Sequence, residues 1–312
     1  MSAAGTPSEL AAEVRKGLES LARRRRTELQ HVLSEFAIER LLFRLGQSEH
    51  RARFVLKGAT LFRLWAGAEH RATWDLDLLG SGANEVQDVI AVLRDICAIH
   101  DEDGIVFDLA SMSGEEIRRP DDYGGVRVRF TAHLGKARIP VQVDIGFGDA
   151  VLPPPQVAVF PTLLDHTAPE VFVYPLQAVV AEKLEALVSL GVTNSRMKDF
   201  FDLHALADAN NFDLESLVDS VRATFSRRGT PLTGEEPLAL TSGFLSERER
   251  DVQWRAFVKR SRLEAPVDPR ELTDGLRRFL LPVLRAAVSD SMEPKHWTAG
   301  GPWRMRSEDP GA

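Results

Sequence analysis

Two aspartates, Asp75 and Asp77, alternate with apolar residues in the stretch Trp74-Asp75-Leu76-Asp77-Leu78. Side chains of a β-strand alternate between its two faces, so this spacing predicts both carboxylates on one face. Carboxylates that lie close together repel each other unless a cation sits between them. A hard divalent ion with oxygen ligands suits such a pair, and we expect Mg²⁺ carrying the phosphates of a nucleotide, with Mn²⁺ as an alternative. The competing interpretation is a strand end that meets only solvent.

A turn of small residues precedes the two aspartates. Phe54-Val55-Leu56 predicts a short strand, which breaks at Lys57-Gly58-Ala59-Thr60 before a helical pattern begins. Backbone N–H groups at the start of a helix bind phosphate groups. The turn therefore favours the metal and phosphate interpretation of the aspartate pair.

These residues resemble a known family, the DNA polymerase β-like nucleotidyltransferases. The resemblance is to the AbiEii branch, the toxins of AbiE/MenT-type toxin–antitoxin systems, and it rests on Leu56-Lys57-Gly58-Ala59-Thr60, Arg71, Thr73, Asp75 and Asp77. Two later stretches resemble further motifs of that branch, Glu182-Lys183-Leu184 and Arg196-Met197-Lys198-Asp199-Phe200-Phe201-Asp202-Leu203. Without the resemblance, the second stretch is a charged helix face of the kind that usually meets solvent. The chain departs from the family pattern at Ala59, where a second glycine is usual, and at Thr73, where serine is usual.

The resemblance implies a set of functional residues. The implied catalytic residues are Asp75, Asp77, Lys183 and Asp199. The implied nucleotide-binding residues are Lys57, Gly58, Ala59, Thr60, Arg71, Thr73, Arg196 and Asp202. The implied metal ligands are Asp75, Asp77 and Asp144. Asp144 comes from a later strand predicted to lie near the pair, and its alternative interpretation is an exposed acidic residue before a turn.

Composition restricts the class of protein. The chain has 312 residues, 44% of them apolar and 27% charged, as in an ordinary globular protein. No apolar run approaches the about 18 residues of a membrane span, and no secretory signal is recognised, so no membrane partner is expected. Its single cysteine, Cys97, excludes an internal disulfide and is expected in the core, which favours a cytoplasmic protein.

Charge restricts the binding partners. A net charge of −7 argues against broad coating by nucleic acid, although it permits a local basic patch that holds one RNA end. The run Arg23-Arg24-Arg25-Arg26 is a candidate for such a patch. The favoured interpretation of this run is a solvated helix face.

The pattern of elements predicts an α+β fold with two lobes. Residues 1–172 are predicted to form a nucleotidyltransferase lobe, a mixed β-sheet flanked by helices and preceded by N-terminal helices. Residues 173–312 are predicted to form a mostly α-helical lobe that closes the cleft, with a loosely ordered tail from about residue 289. The boundary is placed after the proline-rich connector Leu152-Pro153-Pro154-Pro155.

The leading hypothesis is a toxin that transfers nucleotides from an NTP to an RNA acceptor, with the tRNA 3′ end favoured, and so blocks translation. The RNA acceptor and a cognate antitoxin are implied by the resemblance alone. Two alternatives stay open: a nucleotidyltransferase that modifies a small molecule or a protein hydroxyl, and a catalytically idle binding protein. A dehydrogenase or a P-loop kinase is disfavoured, because neither glycine-rich phosphate motif is found.

Overall fold

The computed structural model describes residues 7–65, 73–117, 124–261 and 268–305. The chain divides into two compact units. One, here called the sheet unit, comprises Met1–Leu64, Ala72–Gly148 and Gln156–Val173. The other, the helical unit, comprises Trp65–Arg71, Asp149–Pro155 and Tyr174–Ala312. The predicted lobes of residues 1–172 and 173–312 stay a prediction.

The sheet unit begins with two helices, continues with strands and helices as far as α4, and ends with five consecutive strands. Its helices are α1 (Pro7–Arg25), α2 (Leu29–Gln47), α3 (Phe62–Trp65, whose last residue is assigned to the other unit) and α4 (Val86–Ala98). Its strands are β1 (Phe54–Lys57), β2 (Asp75–Gly80), β3 (Ile105–Ile117), β4 (Gly125–Leu134), β5 (Ala137–Phe147), β6 (Gln156–Val159) and β7 (Glu170–Val173). The predicted N-terminal helices are α1 and α2.

The seven strands form one mixed sheet in the order β3-β4-β5-β2-β1-β7-β6. β2 runs parallel to β5 and antiparallel to β1. The predicted alternation holds in the central strands, since Val141, Val143 and Ile145 of β5 are buried. This apolar face packs against α2 and α4, which leaves the polar residues of the same strands on the opposite face. The predicted mixed sheet flanked by helices is confirmed.

Helix α2 is buried around most of its circumference, and two of its arginines are buried with it. The Nε atom of Arg40 lies 2.8 Å from Asp103 Oδ2, and Nη1 of Arg44 lies 2.6 Å from the same oxygen. Asp103 also accepts a 2.9 Å hydrogen bond from the backbone N–H of Ile105. Buried charges are tolerated only when they are paired and hydrogen-bonded in this way. The network fixes α2 to the loop that enters β3.

The helical unit contains five helices and a small sheet among the described residues. Its elements are α5 (Leu176–Leu190), α6 (Met197–Ala209), β8 (Phe212–Asp213), α7 (Leu214–Arg228), α8 (Arg248–Ser261), α9 (Pro269–Ala287), β9 (Lys295–Trp297) and β10 (Trp303–Met305). Capping residues set several helix ends. Asp213 accepts a hydrogen bond from the backbone N–H of Ser216 at the start of α7, and Gly229 takes the left-handed conformation after its end.

The structure corrects the prediction of a loosely ordered tail as far as Met305. β9 pairs with both β8 and β10 in an antiparallel sheet. Trp297 is buried and donates from its indole N–H to the carbonyl of Ala207, and Trp303 donates to the carbonyl of Phe279. The two indoles pack on the Phe279 ring, so aromatic burial orders a segment whose composition is rich in glycine, proline and charge. Residues 306–312 lie outside the described residues.

Within the described part of the chain, no helix has both the length and the apolar character needed to cross a membrane.

Candidate active site

Strand β2 carries both predicted catalytic aspartates. Leu76 and Leu78 are 1% exposed on the face that packs against the helices, whereas Asp75 and Asp77 are half-buried. The alternation therefore places both carboxylates on the polar face of the sheet. This face is the candidate site of the sheet unit.

The turn after β1 lies directly against this strand. Gly58 has a φ of 73°, a conformation that favours glycine, and a Cβ atom placed on it would lie 2.1 Å from Asp77 Oδ2. Lys57, which pairs with Asp77 in the β1–β2 ladder, and Ala59 are buried. Only glycine lets the turn approach the carboxylate this closely.

Two hydroxyl groups meet at the start of β2. Thr60 is buried, and its Oγ1 lies 3.4 Å from the backbone carbonyl oxygen of Asp75. Thr73 donates to the same carbonyl over 3.3 Å. Both threonines were predicted to bind nucleotide, and in this structure both hydroxyls hold the backbone of Asp75. Their predicted contact with a nucleotide stays a prediction.

A row of charged residues crosses the polar face of the sheet. The strand registers place Lys57 beside Asp77, Asp77 beside Asp144, Asp144 beside Arg127, and Arg127 beside Glu115. The prediction that Asp144 lies near the aspartate pair is confirmed by this register. The neighbouring carboxylates Asp77 and Asp144 are thus flanked by two cations, Lys57 beside Asp77 and Arg127 beside Asp144.

Arg127 holds Asp144 in a two-pronged ion pair. Its Nε and Nη2 atoms lie 2.7 and 2.6 Å from the two carboxylate oxygens. This hydrogen bonding raises the pKa of Arg127 above its ordinary value, with further contributions from the charges of Asp144 and Asp75. The motif reasoning missed Arg127, although the alternation of β4 already placed it on the polar face. Because Asp144 is committed to Arg127, its metal role stays a prediction.

The residues present fit a divalent cation at the aspartate pair. Asp75 and Asp77 supply carboxylate oxygens, the ligands that hard divalent ions prefer. Because Gly58 has no Cβ, the turn lies directly against the Asp77 carboxylate. Among the described residues, no group of three or more His, Cys, Asp or Glu side chains is arranged to hold a metal ion. The fit therefore depends on the pair and on the turn facing it.

A separate cluster of predicted site residues lies in the helical unit, where Lys183 of α5 is held between two carboxylates of α6. Its Nζ atom lies 2.9 Å from Asp199 Oδ1 and 2.7 Å from Asp202 Oδ2. Arg196 adds a second cation, with Nε 2.6 Å from Asp199 Oδ2. The spacing of Asp199 and Asp202, one helical turn apart, creates this double contact.

The members of this cluster differ in how much of their surface is exposed to solvent. Asp199 and Asp202 are fully buried, the Lys183 side chain is 12% exposed, and that of Arg196 is 45% exposed. A fully buried carboxylate does not reach a ligand while its surroundings stay packed. The predicted nucleotide contact of Asp202 stays a prediction, and its position favours a supporting role toward Lys183.

A further buried group fixes α5, which carries Lys183. Glu185 accepts hydrogen bonds from Arg228 Nη1 at 2.8 Å and from Thr230 Oγ1 at 2.6 Å. Arg228 also lies 3.4 Å from Glu182. These contacts tie α5 to the end of α7. Arg71, the remaining predicted nucleotide-binding residue, lies outside the described residues.

A mixed sheet with two carboxylates on one strand, and a glycine turn against them, is the arrangement of a nucleotidyltransferase. A family model described as "Nucleotidyl transferase AbiEii toxin, Type IV TA system" matches residues 40–279. The chain belongs to this AbiEii family, and it is a nucleotidyltransferase of the toxin type. The resemblance described from its motifs is thereby confirmed.

Comparison with solved structures finds two similar chains from Helicobacter pylori. JHP933 is 19% identical, with 72% of this chain and 91% of that chain covered and a TM-score of 0.37. A putative nucleotidyltransferase is 18% identical, with 79% and 91% covered and a TM-score of 0.40. These low TM-scores carry no argument about function. No curated protein matches the chain.

Proposed function

We propose that this protein transfers nucleotides from an NTP to the 3′ end of an RNA, with tRNA as the acceptor, and that this transfer blocks translation. The observation that carries the proposal is the aspartate pair of β2 facing the glycine turn. It is supported by membership of a toxin nucleotidyltransferase family. The proposal includes Mg²⁺ as the metal and a cytoplasmic location.

In this proposal Asp75 and Asp77 hold the divalent ion. When bound, such an ion neutralises phosphate charge and aligns the α-phosphate for in-line attack. The chain's own contribution is positioning. The hydroxyls of Thr60 and Thr73 on the carbonyl of Asp75 fix the start of β2, and the Gly58 turn sets the space beside Asp77.

Lys183 and Asp199 have the second set of roles in this proposal. The ammonium group of Lys183 stabilises negative charge that develops on the phosphates. Asp199 orients the attacking hydroxyl or accepts its proton, which requires the packing around this buried carboxylate to open. Arg196 contributes charge from the exposed side of the cluster. Asp202 keeps the ammonium group in place through its 2.7 Å contact.

A toxin of this family has an antitoxin partner, and we propose that a cognate antitoxin protein restrains this activity in the cell. The substrates are then an NTP and an RNA.

The test is a transfer assay with purified protein, each NTP labelled at the α-phosphate, Mg²⁺ and total RNA. Label in the tRNA band supports the proposal. Label in another RNA, a small molecule or a protein would identify that molecule as the acceptor instead of tRNA. Absence of label with every NTP, while the protein is folded and Mg²⁺ or Mn²⁺ is present, would overturn transferase activity itself. The Asp75→Asn variant is the control for contaminating enzymes.

A further inference from the structure

An exposed tryptophan lies beside the catalytic strand. Trp74 directly precedes Asp75, and 47% of its surface is exposed. Its ring is held edge-on by His31 of α2, with the ring centroids 5.2 Å apart. Large aromatic side chains usually bury their surface. An indole that is held in place and half-exposed offers a flat apolar surface to a ligand.

A chain of contacts links this tryptophan to the arginine run. His31 Nε2 lies 3.0 Å from Glu35 Oε1, and the other oxygen of Glu35 lies 2.9 Å from Arg25 Nη1. Glu35 therefore joins the aromatic pair to the last turn of α1, where Arg25 lies. These contacts connect the tryptophan to the end of α1 through Arg25.

The other three arginines of the run point to solvent. Arg23, Arg24 and Arg26 are exposed, and among the described residues none of them has an ion-pair partner. The run ends α1, where Arg26 adopts a positive φ of 51° and the chain turns toward α2. In a protein with a net charge of −7, three unpaired arginines at one helix end form a local positive patch.

A positive patch beside an exposed aromatic ring is suited to single-stranded nucleic acid. Arginines bind the phosphates, and a base stacks on the aromatic face without regard to sequence. An acidic protein would use the arginines but would have no need of the indole. The combination therefore favours RNA over a protein partner.

We propose that Trp74, together with Arg23, Arg24 and Arg26, binds the single-stranded end of the RNA acceptor. The inference rests on the proposed function, in which RNA is the acceptor. One base stacks on the indole of Trp74, and the arginines hold phosphates of the neighbouring nucleotides. Trp74 directly precedes Asp75, so this contact holds the RNA at the start of the candidate catalytic strand, on the side of the sheet where α2 lies.

The experiment measures RNA binding without catalysis. The probe is a fluorescently labelled RNA hairpin with a single-stranded 3′ tail, titrated in EDTA without NTP and followed by anisotropy over a series of salt concentrations. The variants are Trp74→Ala, Trp74→Phe and the triple change Arg23→Gln/Arg24→Gln/Arg26→Gln. The matched control is Arg248→Gln/Arg270→Gln/Arg278→Gln, which removes the same charge from exposed arginines of the helical unit. Circular dichroism and melting temperature establish that each variant is folded.

Each kind of contact has its own signature. Loss of a stacked base weakens binding about 5-fold to about 150-fold. The RNA affinity of Trp74→Ala should therefore decrease by a factor in this range, with an unchanged salt slope. Trp74→Phe should recover most of the affinity, because it keeps an aromatic face. The triple arginine change should lower the salt slope by about 2, since each phosphate contact on a single strand contributes about 0.7. The control triple change should leave the slope near that of the wild-type protein.

The outcomes separate this inference from the proposed function. Equal affinity of wild-type protein and Trp74→Ala, with RNA transfer still observed, would overturn the inference alone. Equal effects of the two triple changes would overturn the arginine contacts, since net charge would then explain both. No binding or transfer by the wild-type protein with any RNA would overturn both the inference and the RNA acceptor.

Discussion

Gly58 approaches Asp77 so closely that the two residues constrain each other. A Cβ atom at Gly58 would lie 2.1 Å from Asp77 Oδ2 and 2.7 Å from its Cβ, well inside contact distance. The strand that carries the carboxylate and the turn that faces it are joined by the β1–β2 ladder at Lys57 and Asp77. The identity of the residue at position 58 therefore sets the position of a candidate catalytic group.

Replacing Gly58 by alanine should destabilise the protein and abolish transfer. Gly58 combines its positive φ with a ψ of −159°, a backbone region essentially restricted to glycine, so another residue there costs about 1–3 kcal/mol. The collision with Asp77 adds to this cost. Gly82→Ala is the matched control, because Gly82 has a φ of 84° and its Cβ would meet nothing closer than Arg53 Nε at 3.9 Å. Melting temperature and transfer rate are measured for both. If the two variants behave alike, the collision has no effect of its own.

Asp75→Asn should reduce transfer by at least about 100-fold while the fold stays intact. The change removes the negative charge that the proposed metal site requires, and electrostatic contacts of this kind have that magnitude. Asp88→Asn is the control, since Asp88 is an exposed carboxylate on α4 of the same unit. Transfer is measured over a range of Mg²⁺ concentrations. Wild-type activity in Asp75→Asn would exclude Asp75 as a ligand.

Lys183→Met should lower both transfer and stability. The change leaves Asp199 and Asp202 buried without their shared cation, and breaking a buried ion pair costs about 3–5 kcal/mol. Lys259→Met, an exposed lysine on α8, controls for loss of a positive charge. Urea unfolding and the transfer assay are compared. Unchanged stability in Lys183→Met would show that the ion pairs do not form in solution.

Glu39 should make the sheet unit more stable at mildly acidic pH than at neutral pH. Burial raises the pKa of this carboxyl group from 4.5 to about 7, against the opposing effects of the Leu163 N–H, Arg63 and Arg40. Arg40 lowers the pKa of Glu39 only slightly, because its guanidinium donates hydrogen bonds to Asp101, Asp103 and the carbonyl of Thr167. The folded state thus holds a proton that the unfolded state releases, so this contribution falls as pH rises from about 4.5 to about 7.

Glu39→Gln should remove that pH dependence, since glutamine keeps the shape and carries no titratable proton. The free energy of unfolding is measured in urea at about pH 5 and about pH 8. The free energy of unfolding of the variant, relative to that of the wild-type protein, should be higher at about pH 8 than at about pH 5. The pKa values of Glu35 and Asp103 are lowered, so their contributions fall only at more acidic pH. Parallel profiles of wild-type protein and variant would refute the assignment.

Cys97 should not react with a thiol reagent in the native protein. The thiol is buried in α4, and burial raises its pKa to about 12, so the reactive thiolate is scarce at neutral pH. Ellman's reagent should label the protein only after unfolding in guanidinium. Rapid labelling of the native protein would mean that α4 opens readily.

The sequence predicted the parts of the fold that depend on local periodicity. The alternating strand that carries Asp75 and Asp77 and the buried Cys97 were predicted from the sequence, and the structure confirms both. The residues Asp75 and Asp77 were found because two carboxylates at strand spacing are chemically unusual. Spacing along one segment is visible in a single sequence.

Long-range pairing was not visible in the same way. The motifs named Lys183, Asp199 and Asp202 separately, whereas the structure holds Lys183 between these two buried carboxylates of the next helix. Arg127 was not predicted, because its pairing with Asp144 depends on the register of two strands. The burial of Trp297 depends on Phe279 and Ala207, which lie far from it in the sequence.

The end of the folded chain has a practical consequence for expressing this protein. The family match stops at residue 279, within α9, while Trp297 and Trp303 pack on the Phe279 ring from beyond that limit. A shortened version designed on the family boundary would lose its last eight helical residues and both indoles. It would expose an aromatic surface that the full chain covers, and its product would be recovered as aggregates. Expression designs should therefore retain the chain at least through Met305.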